Sequence, residues 1–152
     1  VRTILKTTLR SLIALGLCTF AISSALAQND FVQAAAKEPG AKVTASGLVF
    51  RSLQDGQGIS PMATDKVRVH DRGTFPDGKE FDSSYKRNQT IEFPLNGVIP
   101  CWTEGVQLMK VGGKAKLTCP PAIAYGSRGA GGVIPPNATL QFEVELVAVA
   151  GK

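Results

Sequence analysis

"CWTEGVQLMKVGGKAKLTC", residues 101–119, changes its hydrophobic period in the middle. Trp102, Val106 and Met109 recur at i, i+4 and i+7, which places them on one stripe of a helix. Gly112-Gly113 stops that helix. Lys114 to Cys119 then alternates with a period of two, as a strand with one wet face does. A helix over 102–109 is the only convincing one inside the domain, and the surrounding strands have to cover its stripe.

Outward from this stretch the chain is strands and turns. Toward the C-terminus, Leu140, Phe142, Val144 and Leu146 share a face opposite Gln141, Glu143 and Glu145. Toward the N-terminus, "VRVHDRGTFPDGKEFDSS" (67–84) reads as two strands joined at Pro76-Asp77-Gly78, where Pro presets φ and Gly accepts a positive one. Gly47 to Leu53 forms an earlier strand, and Ile91, Phe93 and Leu95 point one way along another. These signals predict an α+β fold, an antiparallel sheet with one wet face covering a single short helix. Residues 120–137, "PPAIAYGSRGAGGVIPPN", form a long loop whose Ile123, Tyr125, Val133 and Ile134 argue for a flap packed over a pocket rather than disorder.

Alternation raises one conflict. Val67, Val69 and Asp71 lie on the same face of their strand, so a valine face ends in a carboxylate.

Residues 1–27 stand apart. Arg2, Lys6 and Arg10 precede an apolar run that ends in Ala25-Leu26-Ala27, the order of a cleaved secretory signal. The run is shorter than the roughly 20 residues of a spanning helix, and bulky Leu17 argues against a lipid on Cys18. This segment carries three of the 17 basic residues and none of the 12 acidic ones, so the remainder falls from +5 to +2. Scattered lysines and arginines without interleaved aromatics give no nucleic-acid signature. Residues 28–43 read as a leader with a short helix capped by Asp30 and ended by Pro39-Gly40, and 44–150 as the one globular domain.

Cys101 and Cys119 remain after cleavage. In an oxidising compartment they can pair, but they belong to different elements and spacing leaves their pairing open. One His and two separated Cys match no metal-ligand spacing. No nucleophile elbow is present, and "KVGGKAK" fails the phosphate-loop spacing at both ends.

"VHDRGTFPDGKEFDSS", "VIPCWTEGVQLMKVGGKAKLTCPPAIAYG" and "GGVIPPNATLQFEVEL" resemble, in order and spacing, the FKBP-type peptidyl-prolyl cis-trans isomerases, from about Thr44 to Val149. The lead-in "TASGLVFRSLQDGQGISPMATDKV" is most similar to the exported bacterial branch that includes the macrophage infectivity potentiators. The resemblance implies a curved antiparallel sheet wrapped around one short helix, with an apolar pocket between them. It implies Phe81, Asp82 and Tyr125 as catalytic residues, Trp102 as the pocket floor, and Asp71, Ile91, Val98, Ile99, Ile134 and Phe142 as further substrate contacts. It also implies proline-containing polypeptide clients, macrolides of the tacrolimus and rapamycin type as ligands, and no metal or cofactor. A monomer is expected, because the long helical dimerisation region of that branch is not seen here, and the location is the periplasm or outside the cell.

Two residues depart from the family pattern. Asp71 stands where a pocket tyrosine that bonds the carboxylate is usual, so Asp71 and Asp82 either share a proton or Asp71 draws water into the pocket. Cys101 stands where Gly commonly precedes the tryptophan, and as a poor N-cap it threatens to shift the helix start. A non-catalytic peptide-binding or chaperone module, weakened by Asp71, is the competing reading.

Overall fold

The computed structural model describes residues 19–152. Arg2, Lys6, Arg10 and Cys18 of the expected signal segment lie outside the described residues.

Seven strands form one open antiparallel sheet: β1 (Ala41–Val43), β2 (Val49–Gln54), β3 (Lys66–Thr74), β4 (Glu80–Ser83), β5 (Ile91–Pro94), β6 (Lys114–Cys119) and β7 (Leu140–Val149). The order is β1-β2-β6-β7-β3-β4, and β5 pairs with β3 beside β4. The longest strands, β3 and β7, are central, with Asp71 opposite Val144 and Gly73 opposite Phe142. Along β7 the inward residues Leu140, Phe142, Val144 and Leu146 are buried, as their alternation requires.

The helix predicted over 102–109 is α2 (Pro100–Gln107), two residues earlier at both ends, so Met109 lies just past it. Ile99 is its N-cap and Pro100 its first residue, a position where the missing N–H costs nothing. Cys101 therefore needs neither to cap nor to take a positive φ, and the expected disturbance at the helix start does not arise. Its side chain is instead joined by a disulfide to Cys119 at the end of β6, with the two Cα atoms 5.9 Å apart. Val106 and Met109 are buried with Trp102 in the main core. Gly105 lets the helix settle onto β6, since a Cβ there would lie 2.8 Å from Leu117 Cδ2. Past the helix, Gly112 takes φ +89°. The Gly112 N–H donates to Leu146 O at 2.9 Å, which closes the turn against β7.

The leader differs from expectation. An 18-residue helix, α1 (Thr19–Ala36), replaces the short one, and it runs across the expected cleavage point between Ala27 and Gln28. Asp30 lies inside it rather than at its cap. The reason is local: no Gly or Pro interrupts the chain from Thr19 to Glu38, and the Ala-rich segment is a good helix former. Its end docks on the sheet through buried Ala35, through Glu38, which accepts from Arg51 (2.7 Å) and Lys116, and through β1 itself. Gln28 Oε1 accepts the Thr139 N–H at 2.6 Å. No helix of the described residues is long and apolar enough to cross a membrane.

The loop after β6 contains a 3-10 turn (Pro121–Ile123) and is closed by a pair of backbone hydrogen bonds between Ala130 and Ile134, each 2.9 Å.

Candidate active site

A cavity of about 520 Å³ opens between α2 and the concave face of the sheet. Each wall comes from a different element. β4 supplies Phe81 and Asp82, β5 supplies Ile91 and Phe93, and the turn entering α2 supplies Gly97, Val98 and Ile99. Trp102 comes from α2, Phe142 from β7, Tyr125 from the flap and Asp71 from β3. Nine of the ten residues expected in the site are thereby brought together.

Ile134 is the exception. It is buried in the core and does not line the cavity; its paired backbone bonds with Ala130 close the flap on itself and hold it there. Phe93 and Gly97 line the cavity without having been expected to. The signal for Phe93 was present in the alternation that puts it on the same face as Ile91, whereas Gly97 has no side chain to signal anything.

Aromatic packing fixes the walls. Trp102 meets Phe142 edge-on at 5.2 Å and Phe93 at 5.4 Å. Phe142 meets Phe81 edge-on at 5.7 Å, and Phe81 packs on Phe75 at 4.8 Å. Such pairs add about 0.5–1.5 kcal/mol each beyond the area they bury. Gly73 is part of the same arrangement, because a Cβ there would lie 2.7 Å from Phe81 Cε2 and 3.1 Å from Phe142 Cε1.

The two carboxylates part company. Asp82 is half-exposed and accepts a 2.5 Å bond from Arg87 Nη1. Asp71 is 2% exposed, so it is not hydrated from bulk solvent. It sits where the partner of β3 changes from β5 to β4, and Ser84 takes over its backbone bonds. The Asp71 N–H donates to Ser84 Oγ at 2.8 Å, and the Ser84 N–H donates to Asp71 O at 3.0 Å. Burial pushes the Asp71 carboxyl up to about 6, with the Asp82 charge as the second cause; Arg87, Ser84 and His70 oppose it. A proton shared between the two acids is thus replaced by an ion pair at Asp82 and a single raised acid at Asp71.

His70, on the outer face, shares a 2.9 Å bond with Ser84 Oγ and stacks on Tyr85 at 4.8 Å. The Tyr85 hydroxyl donates to Glu145, and burial pushes it up to about 12. Neither points to nucleophilic chemistry. Among the described residues no group of three or more His, Cys, Asp or Glu could hold a metal. The cavity can enclose an apolar ring against rigid aromatic walls, with polar groups at one side.

Comparison with known proteins agrees with this geometry. The model of the FKBP-type peptidyl-prolyl cis-trans isomerase family matches residues 57–147. The chain is 51% identical over 119 residues to the FKBP-type 22 kDa peptidyl-prolyl cis-trans isomerase of Escherichia coli, covering 78% of this chain and 58% of that protein. It is 49% identical over 121 residues to FkpA of the same organism, covering 80% and 44%. The chain thus spans about half the length of the curated relatives it matches. Among solved structures, the crystal structure of FkpA from Escherichia coli superposes with a TM-score of 0.81 at 46% identity, covering 85% of this chain and 60% of that one. A peptidyl-prolyl cis-trans isomerase from Pseudomonas syringae superposes with 0.78 at 38% identity, covering 88% and 98%. With more than half of its length matched by the family model and the same fold around the same kind of pocket, this chain belongs to the FKBP-type peptidyl-prolyl cis-trans isomerase family.

Proposed function

We propose that the chain accelerates cis-trans rotation about X-Pro bonds in exported proteins as they fold. The observation that carries this reading is the aromatic cavity floored by Trp102 and braced by Phe142, Phe93 and Phe81. Rotating an amide costs about 18–20 kcal/mol because C–N resonance is lost, while the cis and trans forms of X-Pro differ by only about 0.5–1 kcal/mol. The catalyst has only to favour the twisted amide over the planar one. The charge-separated resonance form that keeps the amide planar is stabilised by water. Apolar walls around the prolyl ring take that water away, and the rigid floor holds the ring while the chain on its N-terminal side turns. Tyr125 from the flap and Asp82 at the mouth orient the peptide on either side of the ring. No bond is made to the enzyme.

The charged, apolar, Ala-x-Ala order of residues 1–27 supports an export signal and a periplasmic or secreted location. Proline-containing polypeptides are the clients, macrolides that present a proline-like ring would compete for the cavity, and the chain acts as a monomer.

The test is the isomerisation of a short X-Pro peptide, together with a refolding reaction limited by proline isomerisation, which unassisted takes tens of seconds or longer. The native chain is expected to accelerate both in catalytic amounts, and Trp102→Ala to lose most of that acceleration. A native chain that binds the refolding protein but only delays it would be a chaperone module, and the isomerase reading would fall.

A further inference from the structure

Two polar atoms in the cavity walls have no hydrogen-bond partner among the described residues and almost no contact with solvent: Oδ1 of Asp71 and Nε1 of Trp102. Both residues line the same cavity. Oδ1 of Asp71 takes a bond from none of the polar groups around it. Arg87 is held by Asp82 at 2.5 Å, His70 Nδ1 is bonded to Ser84 Oγ, and the Ser84 hydroxyl lies against the main chain of Asp71. The Asp71 backbone is satisfied, so Oδ1 of its carboxyl is the atom left orphaned. Leaving a buried acceptor and a buried donor unmade is unfavourable, and native folds rarely keep such groups unless something outside the chain answers them.

The two orphans ask for opposite things. Asp71 needs a proton donor and the indole N–H needs an acceptor. A hydroxyl supplies both, and the remaining walls accept only an apolar ring. Taking the cavity to be the prolyl-ring pocket of the preceding section, we propose that Asp71 and Trp102 make a polar floor that selects prolyl rings carrying a hydroxyl. The hydroxyl gives its proton to Asp71 Oδ1 and accepts the proton of Trp102 Nε1. An unsubstituted proline offers neither partner. A γ-fluorinated proline withdraws electrons as a hydroxyl does but has no proton to give. In the family pattern a tyrosine fills the position of Asp71 and turns its own hydroxyl to the neighbouring carboxylate, so this floor belongs to the chain's own departure from that pattern.

The experiment is a binding titration of the full chain, by calorimetry and by fluorescence of Trp102, the one tryptophan in the sequence. The probes are four short peptides identical except for the central ring: proline, the two γ-hydroxyproline diastereomers and γ-fluoroproline. One hydroxyproline diastereomer is expected to bind about tenfold tighter than both the proline and fluoroproline peptides, the size of one charge-assisted hydrogen bond. The preference should vanish in Asp71→Leu and in Asp71→Val, either of which relieves a buried charge and is compatible with the strand. Equal binding of all four peptides by the native chain overturns the proposal, as does a preference that survives both variants. Catalysis read in the same samples separates the two readings. Isomerisation of all four peptides without selectivity leaves the isomerase standing and removes the polar floor; selective binding without isomerisation does the reverse; no binding of any peptide removes both.

Discussion

Replacing Asp71 by Asn keeps the shape of the side chain and removes its charge, and the structure sets how much stability should follow. In the folded chain the Asp71 carboxyl titrates near 6, against an ordinary 3.8. At about 1.4 kcal/mol per pH unit, that gap amounts to about 3 kcal/mol. The sign follows from which state holds the proton more tightly. Below pH 3.8 both folded and unfolded chains are protonated at this site and it contributes no penalty. Between 3.8 and 6 the unfolded chain gives up the proton first, and above 6 both states are ionised and the penalty for the buried charge no longer grows. Burial is the main cause and the Asp82 charge adds to it, while Arg87, Ser84 and His70 offset part. Glu38, Asp65 and Glu80, held low by Lys116, Lys152 and Lys86 respectively, lose stability in acid in both proteins. Their contribution cancels in a difference. Urea unfolding followed by Trp102 fluorescence should therefore show Asp71→Asn gaining about 2.5 kcal/mol relative to the native chain as pH rises from 4 to 7.5. A difference curve that stays flat across that range refutes the placement of Asp71 as a buried, unpaired acid.

Removing the disulfide with Cys101→Ser and Cys119→Ser together frees a loop of 18 residues and should cost about 3 kcal/mol, read as a fall in Tm of about 10 °C or more; an unchanged Tm would mean the link is not formed. Gly73→Ala drives a methyl against Phe81 and Phe142. The strain should cost about 1–3 kcal/mol in unfolding, and the displaced Phe81 should weaken peptide binding at the cavity, whereas binding that matches the native chain would show that Phe81 does not form the wall.

The parts of the fold readable from sequence are those where one residue type repeats at one spacing. Trp102, Val106 and Met109 mark α2, and the four inward residues of β7 mark a central strand, because burial on one face is a constraint every position feels. Asp71 obeyed the same logic: its alternation with Val67 and Val69 put it on the cavity face, where it lies. What alternation could not reveal is which partner each acid takes. Arg87 reaches Asp82 from the turn after β4, and turn geometry has no period. The pairing of Cys101 with Cys119 depends on how α2 crosses β6, a tertiary distance. β1 is three residues long, too short to register a pattern, and it exists because β2 is there to pair with. Ile134 was expected in the wall by motif position, but the paired bonds of the flap decide where its side chain goes.

The strand order has a consequence for the proposed work among unfolded chains. Both long strands, of nine and ten residues, are interior. The outer positions fall to β1, β4 and β5, with three, four and four residues. A sheet margin this short offers few free N–H and C=O groups in a row, so it is a poor template for a passing extended segment to extend. On the proposed function, non-native polypeptide is then engaged one ring at a time, through the cavity, without being recruited as an eighth strand.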